Sequence, residues 1–466
     1  MIYLDINKEQ KRSYSKQLYQ QIRRGILSGE LNYGDPLPST RRLASDLQIS
    51  RNTILTAYDM LIAEGFVSSS PRSGFRINQG TGYQTGPMPV TDLSTASLTD
   101  LSIPQAVINF DSGLPALDLF PRGKWNRVVS KAFLEAPDSA LGYDNPQGRP
   151  ELRAVLSRYL GRSRGISCHP DQIVITSGTK QSLTLIAKCL LNESSEVWIE
   201  DPTNINVRQI FSYHTNHIVP LPVDREGIIL PAAAGKAPAL IFITPDHQFP
   251  MGGILSIRRR IELAAYAIRT GCLIVEDDYD SEFRYTGPPV RSLCELADGH
   301  VIHAGTFSKT LFPSLRLGYL VLPPHLVAPV KELKRLSDHH TGSIQQLALT
   351  HFIETGELER HIKRMKREYQ TRRSTMTGLL NRLFPDAVTI HGKEAGMHLV
   401  AEFKDICFTD ALLAELLNRG VYVVPVQKHS AYAGGHQNQI ILGFAQTDSR
   451  QMLQGLSILK ELTAVT

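Results

Sequence analysis

The feature that most constrains this chain is a recurrence of short apolar runs. They fall at 172–176, 197–199, 240–243, 272–276, 301–303 and 317–322, with longer stretches between them. Runs of this length, bounded by turn residues, read as buried strands. Strands that alternate with helices build a mostly parallel sheet with helices on both faces. Such sheets take their ligands at the carboxyl ends of the strands, so the polar residues just past these runs are the candidates for chemistry. The segments 407–419 and 422–426 suggest a smaller C-terminal α/β lobe.

Three strand ends carry matched chemistry. Past 301–303 comes Gly305-Thr306-Phe307-Ser308-Lys309, and then Arg316. Lys309 stands among small and hydroxylic residues, a setting that suits a lysine reaching into a pocket as a nucleophilic amine to form a Schiff base. Thr306 and Ser308 offer hydroxyls to a phosphate, and Arg316 offers a bidentate cation. Past 172–176, Ser177-Gly178-Thr179-Lys180 reads as a glycine turn into a helix start, where free N–H groups bind phosphate. Past 272–276 stand Asp277, Asp278 and Tyr279. A carboxylate there can hold a pyridinium N–H, and a phenol can bond a ring hydroxyl. A Schiff-base lysine with an acidic partner for a pyridinium is what pyridoxal 5′-phosphate (PLP) demands. In this order the motifs resemble those of the fold-type I PLP aminotransferases.

The 466 residues carry a net charge of +5, unevenly divided. Residues 1–78 hold eleven Lys/Arg against seven Asp/Glu, a net of +4, and the remainder holds 39 against 38. A small basic module on a near-neutral body points to a polyanion partner for that module. Within it, Leu18, Ile22 and Ile26 predict a helix over 14–32. Ser39 is an N-cap for a short helix with Leu43, Ala44 and Leu47 inward. After a turn at Gln48-Ile49, Ser50 caps a helix from Arg51 to Ala63 that buries Ile54, Tyr58, Leu61 and Ile62. Two short helices, a tight turn and polar or basic residues at the start of the second make a helix-turn-helix. Phe66 to Arg76, with Pro71 and Gly74 at its tip, reads as a β-hairpin wing. Residues 79–106 are rich in Gly, Thr, Ser and Pro, lack Lys and Arg, and read as a linker.

The five cysteines (Cys168, Cys189, Cys272, Cys294 and Cys407) have no CxxC spacing. That argues for a reducing compartment and against a disulfide framework or a zinc site. No apolar run reaches about 18 residues, and the N-terminus shows no signal-peptide core. The expectation is a cytoplasmic protein with no membrane partner and no metal.

The first module resembles the GntR-type winged helix-turn-helix, on Leu37-Pro38-Ser39-Thr40-Arg41, Ser50-Arg51-Asn52-Thr53 and Ala63-Glu64-Gly65-Phe66. Such a reader joined by a linker to a fold-type I aminotransferase-like body is the layout of the MocR-type (GabR-like) regulators, and the resemblance covers essentially the whole chain. It implies a reader at 1–78, a linker at 79–106 and a PLP-binding effector body at 107–466. It implies a transcription regulator that binds double-stranded operator DNA, senses a small molecule through PLP, and forms a head-to-tail, domain-swapped homodimer. The alternative is an aminotransferase with a vestigial N-terminal lobe. The DNA contacts would fall to Ser39, Arg41, Arg42, Arg51, Asn52 and Thr53, with Arg72 and Gly74 in the wing. In the body, Lys309 would carry the cofactor, Asp277 would pair with the pyridine nitrogen, and Tyr279 would bond the ring hydroxyl. Gly178, Thr179, Lys180, Thr306, Ser308 and Arg316 would surround the phosphate, and His247 would lie beside the ring. The basic run from Arg360 to Arg367 reads as a solvated helix face, or alternatively as a second patch facing DNA.

Two positions depart from the family pattern. Asn204 stands where the family carries a tyrosine stacked on the cofactor, which thins one wall of the ring site. Ile441 stands where the family carries the arginine that holds a ligand's carboxylate. Burying an unpaired carboxylate there costs several kcal/mol, roughly 2–5. The expected effector is therefore an amine or PLP itself, with Arg208 a candidate to hold an acid from another side. Transaminase activity is expected to be weak at most.

Overall fold

The computed structural model describes residues 4–7, 13–70, 74–79, 107–231, 236–287, 290–297 and 299–464. The chain divides into two compact units, residues 1–102 and 103–466. Arg72 and the stretch 80–106 lie outside the described residues.

In the first unit, α1 (Tyr14–Leu27) turns Leu18, Ile22 and Ile26 into the core. It stops short of residue 32 because Ser28 closes it and Gly29, at φ +78°, takes the left-handed conformation that ends helices. The next two helices, α2 (Thr40–Leu47) and α3 (Arg51–Ala63), each start at a serine cap. Ser39 Oγ accepts the Arg42 N–H at 3.3 Å, and Ser50 Oγ accepts the Thr53 N–H at 3.1 Å. Leu18, Ile22, Leu43, Ile54, Tyr58 and Leu61 close a common core. The Tyr58 hydroxyl donates to the Pro38 carbonyl at 2.8 Å and pins α3 to the loop before α2. The wing pairs Val67–Ser70 antiparallel with Gly74–Ile77, with Ser70 opposite Gly74.

The second unit is built on an eight-stranded sheet in the order Ile173–Thr176, Gly318–Val321, Val301–Thr306, Leu273–Asp278, Leu240–Ile243, Glu196–Asp201, His217–Asp224 and Gly227–Ile228. Gly318–Val321 runs antiparallel to both its neighbours, and Gly227–Ile228 folds back on His217–Asp224. The others share one direction. The sequence conceals His217–Asp224 because two prolines, Pro220 and Pro222, interrupt it and it is only partly buried. Alternate side chains of the strands serve opposite layers. Leu240 and Phe242 pack with Leu183, Val207 and Leu326 of the helices Thr179–Leu190, Ile205–Ser212 and Pro324–Asp338. Ile241 and Ile243 pack with Leu263 and Ala267 of Ile257–Thr270.

The C-terminal lobe has a four-stranded antiparallel sheet in the order Val388–His391, His398–Phe403, Gln439–Gly443 and Val424–Pro425. Its core takes residues from the helices Glu357–Leu383, Asp410–Asn418 and Ser449–Thr463, and also Phe110 from the start of the unit. Ile108–Asn109 pairs with Val421–Tyr422, and the Phe110 N–H donates to the Tyr422 carbonyl at 3.0 Å. The segment around residue 111 is thereby held against the far end of the chain. On the long helix the basic run turns His361 and Met365 inward, while Arg360 pairs with Glu357 at 2.8 Å and Arg364 donates to the Leu119 carbonyl. Among the described residues, no helix is long and apolar enough to cross a membrane.

Candidate cofactor pocket and DNA-reading face

Register brings the strand ends together. Thr176 and Thr306 both stand opposite Gly318, and Asp277 stands opposite Ala304. A side chain at position 318 would come within 2.9 Å of the Gly178 Cα, so only glycine lets these segments approach. Gly178 opens the helix Thr179–Leu190 at φ +108°, and a Cβ on it would lie 3.4 Å from the Arg316 guanidinium. A helix N-terminus, glycine backbone and a guanidinium thus share one corner, an arrangement suited to an anion. Arg316 and Lys180 are exposed, and their side chains have no hydrogen-bond or ion-pair partner among the described residues. The Thr306 hydroxyl accepts the Ser308 N–H at 3.2 Å and lies 3.1 Å from the Ser308 hydroxyl, curling the loop before Lys309.

Lys309 Nζ donates to the Gly113 carbonyl at 2.5 Å. Burial lowers its pKa, against the opposing pull of the Asp111, Asp280 and Asp277 carboxylates. A lowered pKa enlarges the fraction of neutral, nucleophilic amine. Asp277 is buried and its Oδ1 has no partner. Burial, together with Asp278, Asp280 and Glu200, pushes its pKa up to about 8. The Tyr279 hydroxyl donates to the His247 carbonyl at 2.7 Å. His247 Nδ1 lies 3.0 Å from Asp280 Oδ2, and its Nε2 is buried without a partner. The His398 ring packs 4.6 Å from the His247 ring, and its Nε2 lies 3.0 Å from the Pro250 carbonyl.

The two departures are both accounted for locally. Asn204 caps the helix Ile205–Ser212, its Oδ1 accepting the Asn206 N–H at 3.0 Å. Ile441 is buried with Val400, Val424 and Val426, against Phe249, Met251 and Tyr422. Arg208 is half-buried, has no hydrogen-bond or ion-pair partner among the described residues, and lies close enough to His429 to help lower that histidine's pKa.

The residues present fit PLP. A buried carboxylate lacks a partner, a half-buried lysine has a lowered pKa, and an anion-binding corner holds a free guanidinium. Sequence reasoning missed Asp111, Gly113, Asp280 and His398. Asp280 follows directly on Asp277-Asp278-Tyr279 and is findable there, whereas His398 opens a mostly apolar strand and gives no local signal.

On the reader, Arg41, Arg42, Arg51 and Asn52 are exposed. Several of the named groups already have partners. Arg51 Nε donates to Thr40 Oγ1 at 3.2 Å, the Thr53 hydroxyl lies 2.8 Å from that of Ser50, and Arg42 lies 3.9 Å from Asp46. Gly74 is exposed at φ +71°, with open space where a side chain would stand. Arg72 is outside the described residues.

Comparison with known proteins defines the class first. Residues 14–77 match the description "Bacterial regulatory proteins, gntR family", and residues 105–456 match "Aminotransferase class I and II". The chain is 34% identical over 458 residues to the probable rhizopine catabolism regulatory protein MocR of Rhizobium meliloti, covering 96% of this chain and 92% of that protein. It is 31% identical over 445 residues to the pyridoxine biosynthesis transcriptional regulator PdxR of Corynebacterium glutamicum, covering 95% and 94%. The body is similar to Pyrococcus horikoshii kynurenine aminotransferase, with a TM-score of 0.72, 29% identity, and coverage of 78% of this chain and 92% of that one. The chain belongs to the MocR-type branch of the GntR regulators. Regulators with this helix-turn-helix bind operator DNA, and proteins with this aminotransferase fold depend on PLP. The chain is thus a PLP-dependent, DNA-binding transcription regulator, and the alternative of an aminotransferase with a vestigial lobe is not favoured.

Proposed function

We propose that the body holds PLP on Lys309 and that occupation of this pocket alters the reader's affinity for operator DNA. The observation that carries the reading is the buried Asp277 carboxylate with no partner, in the same pocket as the half-buried Lys309. PLP supplies a carbonyl that condenses with primary amines and a ring whose protonated nitrogen is stabilised by a carboxylate. Asp277 holds that nitrogen, Tyr279 bonds the ring hydroxyl, and His247, held by Asp280, lies beside the ring. Gly178, Thr179, Lys180, Thr306, Ser308 and Arg316 receive the phosphate. Asn204 caps its helix and leaves the ring face open.

The reader contacts phosphates through Ser39, Arg41, Arg42 and the wing residues Arg72 and Gly74, and reads base edges from the start of α3 with Arg51, Asn52 and Thr53. Two readers bind two half-sites as a head-to-tail, domain-swapped homodimer in the cytoplasm. A stretch of exposed apolar residues, Phe133 (59%), Leu134 (83%), Leu141 (62%) and Tyr143 (88%), supports a second copy covering the body.

The effector is an amine without a carboxylate at the Ile441 wall, or PLP itself. The relative named for pyridoxine biosynthesis supports PLP as a signal. The apolar setting of Ile441 supports exclusion of a carboxylate there, and Arg208 is the rival anchor for an acid. The test is operator binding by cofactor-free and PLP-loaded protein, followed by titration with amines and amino acids. Unchanged DNA affinity throughout would refute the switch.

A further inference from the structure

One charged group in the pocket has no role in the reading above. Asp111 follows Phe110, whose N–H is bonded to Tyr422, and its backbone carbonyl lies where a Cβ on Gly443 would come within 2.5 Å. Its position is therefore set by the strand Gln439–Gly443, which carries Ile441, and by Val421–Tyr422. Its side chain lies against Gly113: Asp111 Oδ2 is 3.2 Å from where a Cβ on Gly113 would stand, and the Gly113 carbonyl is the acceptor for Lys309 Nζ. Asp111 is half-buried, and its carboxylate makes no hydrogen bond or ion pair with a described residue. Near it lies an apolar cluster of Ile441, Val424 and Val400, with Tyr422 packed against them.

A ligand whose amine is directed to Lys309 therefore meets an anion and an aliphatic surface at its other end. A carboxylate placed there is repelled by Asp111 and left unpaired against Ile441. An ammonium placed there gains a partner in a partly desolvated site, where pairing is stronger than at an exposed one. We propose that Asp111 is the specificity determinant of the body, and that the ligand it selects is a short aliphatic diamine, with one amine directed to Lys309 and the second paired with Asp111. This rests on the reading of Lys309 and PLP given above and narrows its amine class to molecules with a distal cation.

The experiment uses the full-length, PLP-loaded protein and calorimetric titration with putrescine, butylamine and γ-aminobutyrate, with the visible absorbance of the cofactor recorded in parallel. Putrescine is expected to bind at least about tenfold more tightly than butylamine, and γ-aminobutyrate more weakly than either. Asp111→Asn is expected to erase the preference, so that putrescine and butylamine bind this variant equally. Asp111→Glu, which keeps the charge on a longer arm, retains a preference for diamines and moves it toward a shorter one, and it serves as the check if the asparagine variant is unstable. Equal affinity for putrescine and butylamine, no binding of any amine, or a diamine preference that survives in Asp111→Asn overturns the role of Asp111. A protein that takes up PLP without fixing it to Lys309 overturns the underlying reading instead, and this outcome is recognised by the missing visible band before any amine is added.

Discussion

The reader and the cofactor pocket handle their polar groups in opposite ways. The reader keeps its candidate DNA contacts at the surface, and several of them are already satisfied, as when Ser50 caps α3 and Arg51 bonds Thr40. The pocket buries Asp277, Asp278 and His247 and leaves an Asp277 oxygen and a His247 nitrogen without partners. Water solvates the reader's groups until DNA replaces it, so their loss should weaken binding more than folding. Burial desolvates the pocket's groups, so a cofactor with matching charges relieves an electrostatic cost.

The largest expected effect tests the pocket. Lys309→Ala should abolish the visible absorbance of the lysine-bound cofactor and its fixation by borohydride, while DNA binding by the reader persists. A variant that still fixes the cofactor would show that another lysine carries it.

Asp277→Asn should come next, weakening PLP binding by roughly 2–5 kcal/mol, because a cofactor cation is left without its partner. It also has a pH signature in the cofactor-free protein. The folded pKa of about 8 lies above the unfolded carboxylate value of about 3.9. Between these values the folded state holds a proton that the unfolded chain has released. This group therefore makes stability fall as pH rises from about 4 to about 8, and level off above that. Melting temperatures of the two cofactor-free proteins across this window should diverge in favour of Asp277→Asn as pH rises. Parallel curves would mean that Asp277 is not desolvated as its burial implies.

Arg51→Ala should weaken operator binding by about 1–3 kcal/mol if it loses a base-edge contact. The bond to Thr40 adds a second way to fail, so the reader's melting temperature must be followed alongside. Loss of operator binding with unchanged melting assigns Arg51 to recognition. Equal losses on operator and random DNA assign it to the phosphate backbone.

The smallest effect separates the two regions most cleanly. Ser50→Ala removes the α3 cap and should destabilise the reader by about 1 kcal/mol. PLP uptake by the body should not change. A shift in PLP affinity would show coupling between the regions even without DNA.

Much of this is legible in the sequence alone. The helix-turn-helix follows from Ser39, Ser50 and the spacing of Ile54, Tyr58 and Leu61, because caps and 3.6-residue periodicity are local properties. The strand ends bearing Gly178, Asp277 and Lys309 follow from short apolar runs. The strand His217–Asp224 was hidden because its residues are only half-buried and prolines interrupt it. The antiparallel direction of Gly318–Val321 was hidden because an apolar run carries no sign of which way it points.

The sequence by itself determined the two modules, the family and the residue types available to the pocket, since these depend on neighbours along the chain. The tertiary structure alone decided which of those residues lack partners. Asp111 and Lys309 are far apart in sequence, as are His247 and His398, and each pair meets only when the start of the body and the C-terminal lobe close on the large sheet. Electrostatic energy depends on distance and on exclusion of water, and neither is a property of sequence position. The raised pKa of Asp277, the occupied side chain of Asn204 and the unpaired carboxylate of Asp111 therefore became visible only in the fold.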